Sequence, residues 1–248
     1  ALHQAGRLAE AEPVYREVLR AAPRHPDTLH LLGVLCYQTR RLPEAVELMR
    51  RAVAANPAFP HAYFNLGVAL KDLGRAAEAA DAYRQALLLQ PTYAEAHLNL
   101  GAMLKDMGQV EQAVASYQQA LAVNPNLAEA HYNLGVAFSD QGRAADAEAC
   151  YRRAVAVNPN HVPAHVSLGG ILREQGRLEE AVVCYQRALA LKPDHAKACF
   201  QLGDCLKTLG RLEEAATALQ QAVAVQPDFA EAHWALANCR FDQGQLDQ

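Results

Sequence analysis

The sequence is poor in aromatic residues, which make up only 6% of its 248 positions, with a single Trp and three Met. Half of it is nonetheless apolar (51%), so Ala and Leu carry the hydrophobic content. These are strong helix formers that still supply an apolar face, and the composition predicts a helical protein. Positive charge is not in excess either. Lys and Arg number 23 against 27 Asp and Glu, for a net charge of −4. With no basic surplus to neutralise phosphates, nucleic acid is not the expected main partner. No apolar run reaches the roughly 18 residues of a spanning helix, so membrane insertion is not expected. The opening residues do not read as a secretory leader. The six cysteines form no C-x-x-C pair. They read as small buried filler in a reducing compartment, and a cytoplasmic location is expected.

What is present is a period. Gly33, Gly67, Gly101, Gly135, Gly169 and Gly203 each lie 34 residues apart. Pro23, Pro57, Pro91, Pro125, Pro159, Pro193 and Pro227 keep the same step. So do Gly74, Gly108, Gly142, Gly176, Gly210 and Gly244, with Gly6 in phase. With the prolines at position 32, complete repeats span 26–59, 60–93, 94–127, 128–161, 162–195 and 196–229, flanked by partial repeats 1–25 and 230–248. In the repeat at 60–93, Tyr63, Leu66, Gly67 and Leu70 follow the i, i+3, i+4, i+7 spacing of an amphipathic helix. Gly74 is expected to end it in the left-handed conformation, and Gly244 to do the same in the last repeat. A second helix is expected over 76–89, burying Ala79, Tyr83, Ala86 and Leu87 and stopped before Pro91. Each unit is then two antiparallel helices, with Gly67 and Ala79 allowing close approach and Tyr83 filling the space beside them.

This pattern resembles the tetratricopeptide repeat family. The repeat at 128–161 carries the family signature as His131, Leu134, Gly135, Phe138, Ala147, Tyr151, Ala154 and Pro159. Departures are mild: Met49 and Leu219 replace the aromatic at position 24, and Ala237 replaces the glycine at position 8. The resemblance implies an all-α fold, a right-handed superhelical solenoid of helix-turn-helix repeats treated as one array over 1–248. It also implies a non-catalytic scaffold that binds a protein or an extended peptide in a concave groove, with no cofactor. Neither end shows a polar capping element, so the terminal helices are expected to expose apolar stripes that favour self-association.

Positions 4, 7, 8 and 11 of each first helix are expected to face its own second helix, and positions 3 and 10 the neighbouring repeats. Positions 2, 5, 6, 9, 12 and 13 are left as a free face. In the family that face lines the groove. Position 6 carries Asn65, Asn99 and Asn133, then Ser167 and Gln201. An amide both donates and accepts, so such a row can hold a peptide backbone without demanding a sequence. It resembles the asparagine ladder in the repeat arm of O-linked N-acetylglucosamine transferases. That likeness gives an alternative, a substrate-recognition arm whose catalytic domain lies outside this chain. The plain reading is a row of solvated amides. Position 5 carries Phe64, Leu98, Tyr132, Val166, Phe200 and Trp234, either as exposed anchors or packed partly on the adjacent helix. Position 12 carries Lys71, Lys105, Arg173 and Lys207, beside acids at position 13. These rows read as mutually paired charges, with Lys71, Lys105 and Lys207 as the candidates for steering an acidic segment. The carboxylate clamp of chaperone-binding relatives is disfavoured, because its places hold Phe64 and Val68.

Histidines recur at position 4 as His97, His131, His165 and His233. Facing helices stand roughly 8–10 Å apart, too far for an easy shared zinc, so they read as packing residues. No H-E-x-x-H, phosphate-cradling glycine loop or nucleophile elbow occurs, and no catalytic or metal site is expected.

Overall fold

Alternating start and stop signals every half period cut the chain into short helices. The computed structural model describes residues 2, 3 and 5–246, with side chains through residue 244. Fourteen helices and no strand occur among the described residues. The chain divides into two compact units, Ala1–Pro125 and Asn126–Gln248. The first holds α1 (Leu8–Ala21), α2 (Pro26–Gln38), α3 (Leu42–Ala55), α4 (Pro60–Asp72), α5 (Ala76–Leu89), α6 (Ala94–Asp106) and α7 (Val110–Val123). The second holds α8 (Ala128–Asp140), α9 (Ala144–Val157), α10 (Val162–Glu174), α11 (Leu178–Leu191), α12 (Ala196–Thr208), α13 (Leu212–Val225) and α14 (Ala230–Leu246).

Each first helix turns into its second through a left-handed residue. Gly74 has φ 73°, and the Arg75 amide that follows donates back to the Leu70 carbonyl at 2.9 Å. That bond closes the open end of the first helix. In the repeat at 26–59 the same place is held by Arg40, at φ 61°. A side chain there costs about 1–2 kcal/mol that glycine avoids, less the extra chain entropy glycine loses. Arg40→Gly is therefore expected to stabilise the protein by about 0.5–1 kcal/mol in urea denaturation. A loss of stability would show that Arg40 is held there by contacts that outweigh the strain.

Gly244 behaves differently. The sequence places a helix end there, but α14 runs through it to Leu246. Glycine permits a left-handed turn without forcing one. At the other turns a second helix packs back on the first; among the described residues nothing follows α14 to do so.

The core of each hairpin is a ring laid on a glycine. A methyl carbon at Gly67 would stand 2.6 Å from Tyr83 Cε1, and one at Gly135 would stand 2.7 Å from Tyr151 Cε1. Met49 and Leu219 take the ring's place over Gly33 and Gly203. Tyr83 is completely buried, as are Ala79 and Ala86. Leu87, expected in the same stripe, is only half-buried, while Ala80 and Ala82 are buried.

The outer surface is laced with ion pairs. Glu78 meets Arg75 of its own hairpin and Arg50 of the preceding one, each at 2.6 Å. Glu12 accepts from Arg41 and Arg16, which hold its carboxyl down to about 2. Exposed pairs of this kind are worth little singly. Apolar side chains do reach solvent on the first and last helices, where Val14 on α1 is 48% exposed and Trp234 on α14 is 71% exposed.

Candidate functional site

In the first unit the inward side of the first helices carries His30, Phe64, Asn65, Lys71, Asn99 and Lys105, all half-buried. Phe64 is less free than an exposed anchor would be. Its ring lies 4.7 Å from Tyr93 and 5.8 Å from Tyr83, centre to centre. Tyr93 is position 34, the residue before the next first helix, so position 5 is roofed by the end of its own repeat. His30 meets Phe59 the same way, at 4.9 Å.

The asparagines are partly engaged. Asn65 Nδ2 donates to His30 Nε2 at 2.7 Å. Asn99 Nδ2 donates to the Glu95 carbonyl of its own helix at 3.0 Å. The Oδ1 atoms of both remain free among the described residues. Lys71 makes no ion pair among the described residues, whereas Tyr37 at the equivalent position donates to Asp72 at 2.7 Å.

The Asn65–His30 bond needs a neutral His30. Burial holds that imidazole below its ordinary value of 6.5, and the nearby His61 adds to this against a weaker opposite pull from Asp27. An unfolded His30 takes up a proton first as pH falls, so its contribution is present above about 6.5 and is lost below it, toward the folded value. Between about pH 7.5 and 5.5, the wild type is expected to lose stability relative to His30→Gln, measured by urea denaturation. A constant difference between the two would remove His30 from the pH response.

In the second unit the same side carries Tyr132, Asn133, Arg173, Phe200, Gln201 and Lys207, again half-buried. Tyr132 packs on His161 at 5.0 Å and Phe200 on Phe229 at 5.2 Å. Trp234 has no such roof, which accounts for its exposure. Asn133 makes no hydrogen bond among the described residues. The cations here are engaged: Arg173 Nη1 donates to Asp204 at 3.1 Å and Lys207 pairs with Asp242 at 3.0 Å.

Two histidine roles escape a reading by composition. At position 4, Nε2 of His97, His165 and His233 lies 2.8–2.9 Å from the carbonyls of Pro91, Pro159 and Pro227. A carbonyl only accepts, so Nε2 carries the proton, and the ring ties each first helix to the proline that ends the preceding one. At position 34, His25, His161 and His195 cap α2, α10 and α12 by accepting a backbone N–H. Their signal in the sequence is position alone, directly before a first helix. Among the described residues no group of three His, Cys, Asp or Glu is placed to hold a metal ion. All six cysteines are free. Burial pushes Cys36 and Cys205 up to about 11, away from the reactive thiolate. No helix among the described residues is long and apolar enough to cross a membrane.

Stacked hairpins with a glycine–ring core define a helical-repeat protein of the class that serves as interaction scaffolds. The chain belongs to the tetratricopeptide repeat family. A tetratricopeptide repeat model matches residues 1–60. The repeat model described as the C-terminal domain of cilia and flagella-associated protein 70 matches residues 52–248. Both describe repeat domains, and neither indicates a catalytic family. No curated protein sequence matches the chain. Among solved structures, it is similar to YrrB, described as a TPR protein with an unusual peptide-binding site, at 25% identity and TM-score 0.66 over 77% of this chain and 98% of that one. MamA matches at 25% identity and TM-score 0.62 over 67% of this chain and 97% of its own. PilF of Pseudomonas aeruginosa, at 20% identity, shares the fold with TM-score 0.76 over 86% of this chain and 97% of its own. The likeness to the glycosyltransferase repeat arm gains nothing from these matches.

Proposed function

We propose that the inward side of the first helices binds an extended polypeptide segment of a protein partner, in a reducing, cytoplasmic setting. The observation that carries this is the partial satisfaction of the position 6 amides. Asn65 and Asn99 each commit one N–H inside the protein and keep a free carbonyl oxygen, and Asn133 keeps its whole amide. Such groups can bond to a peptide backbone of any sequence. They stand beside half-buried rings that offer apolar contact without further ordering cost. YrrB, with its described peptide-binding site, supports the reading by similarity. Because the cations Arg173 and Lys207 are already paired, an acidic segment is not favoured there; Lys71 is the steering candidate that remains.

The test uses peptides selected on the whole chain from a random dodecapeptide library displayed on phage. Asn65→Ala with Asn99→Ala, or Asn133→Ala with Gln201→Ala, is expected to weaken the peptides of one unit or the other by roughly tenfold. Selected peptides that bind both double variants like the wild type would refute the assignment. Ring truncations at Phe64 or Tyr132 are the poorer probes, since those rings also pack in the fold.

A further inference from the structure

In the repeat at 162–195, position 9 of the first helix is Gly170, where the earlier repeats carry Val34, Val68, Ala102 and Val136. A methyl carbon at Gly170 would meet only the Tyr185 hydroxyl, at 4.0 Å. Tyr185 is completely buried, yet that hydroxyl has no hydrogen-bond partner. Two further buried polar atoms in this region lack partners, Arg173 Nε and Gln201 Oε1. The helices explain why they gather. Arg173 on α10 donates to Asp204 on α12 at 3.1 Å. Three residues earlier, one turn back on each helix, stand Gly170 and Gln201. Burial raises the Tyr185 phenol, and the nearby Arg173 guanidinium pulls weakly the other way without reaching hydrogen-bond geometry. The missing side chain at Gly170 thus leaves a notch on the inward side, with Tyr185 beneath it, Gln201 across from it and the Arg173–Asp204 pair one turn along.

Unpartnered buried polar groups are costly, and they mark a place where a partner is expected. The set here is two donors, the tyrosine O–H and the arginine Nε–H, and one acceptor, the glutamine oxygen. Its formal charges cancel, because Arg173 is neutralised by Asp204. A carboxylate would face both the Asp204 charge and the Gln201 oxygen. A neutral group that accepts and donates from adjacent atoms meets the whole set. Tyr83 sharpens the contrast: its hydroxyl is also buried without a partner, but position 9 of its repeat is Val68.

We propose that the Gly170 notch is the selective point of the inward side and receives the carboxamide of an Asn or Gln side chain from the bound segment. The carboxamide oxygen accepts from Tyr185 and Arg173, and its N–H donates to Gln201. This rests on the inward side being the binding face, and the test separates the two.

Dodecapeptides selected on the wild-type chain from the phage library are measured against wild type, Gly170→Val and Tyr185→Phe. Gly170→Val copies the residue of three other repeats, and Tyr185→Phe removes only the hydroxyl, so both variants are expected to fold, as circular dichroism checks. The expected result is an Asn or Gln shared at one peptide position. Its replacement by Asp or Leu weakens binding to wild type roughly tenfold, and much less to either variant. Suppose instead that the peptides are weakened by Asn133→Ala but show no carboxamide preference, select an acid, or ignore both variants. The notch assignment is then wrong while the binding face stands. Peptides indifferent to every inward asparagine substitution would overturn both.

Discussion

Tyr83→Ala is expected to cost about 3–5 kcal/mol, the range for truncating a large buried ring. Tyr83 is completely buried on Gly67 of its own hairpin. Removing it takes away the ring's transfer energy and leaves a void between α4 and α5. Two helix backbones held apart by a ring cannot close that void without shifting their neighbours. Tyr83→Phe is the control. The hydroxyl has no partner, and burial raises its pKa well above the ordinary phenol range, so losing it is expected to be neutral or slightly stabilising. Urea denaturation followed by circular dichroism reads both. A cost below about 1 kcal/mol for Tyr83→Ala would mean that the ring is not the core of its hairpin.

Gly67→Ala is expected to cost about 1–3 kcal/mol through overpacking, although alanine is the better helix former. Its methyl would stand 2.6–2.9 Å from three ring atoms of Tyr83, distances that real contacts do not show. The ring is wedged and cannot swing aside as a flexible chain end does. Gly33→Ala is the milder case, because the nearest atom is Met49 Cγ at 2.9 Å on an unbranched side chain. The clash also makes a prediction about coupling. With Tyr83→Ala already in place, Gly67→Ala is expected to become neutral or stabilising, an interaction of at least about 1 kcal/mol in the double-mutant cycle. Additive costs would place the penalty in the helix backbone rather than against the ring.

Much of the candidate site is legible in the periodic spacing. Position 6 is visible as an amide row once the period is known, and the spacing puts it on the side away from the second helix. What the spacing does not show is how each amide is used. Asn65 turns to His30, one repeat earlier and 35 residues away in sequence, while Asn99 turns back to its own helix. The position 5 row shows the same limit. An apolar residue on a free face reads as exposed, yet Phe64, Tyr132 and Phe200 are roofed by position 34 of their own repeats. That contact joins two residues on either side of a hairpin, and no local pattern encodes it. Gly170 is the reverse case. In the sequence it is one glycine beside another, and only the orphaned Tyr185 hydroxyl beneath it gives it meaning.

The sequence by itself determined the helical hairpin and its repetition. Glycine, proline and apolar spacing act within a few residues of each other, through backbone sterics and helix periodicity, and those effects are local. Tertiary structure decided which polar groups remain unpaired, which rings are covered and whether Gly244 ends a helix. Each of these depends on side chains or whole helices brought together from about one repeat apart, and hydrogen bonding and burial are settled only when those surfaces meet.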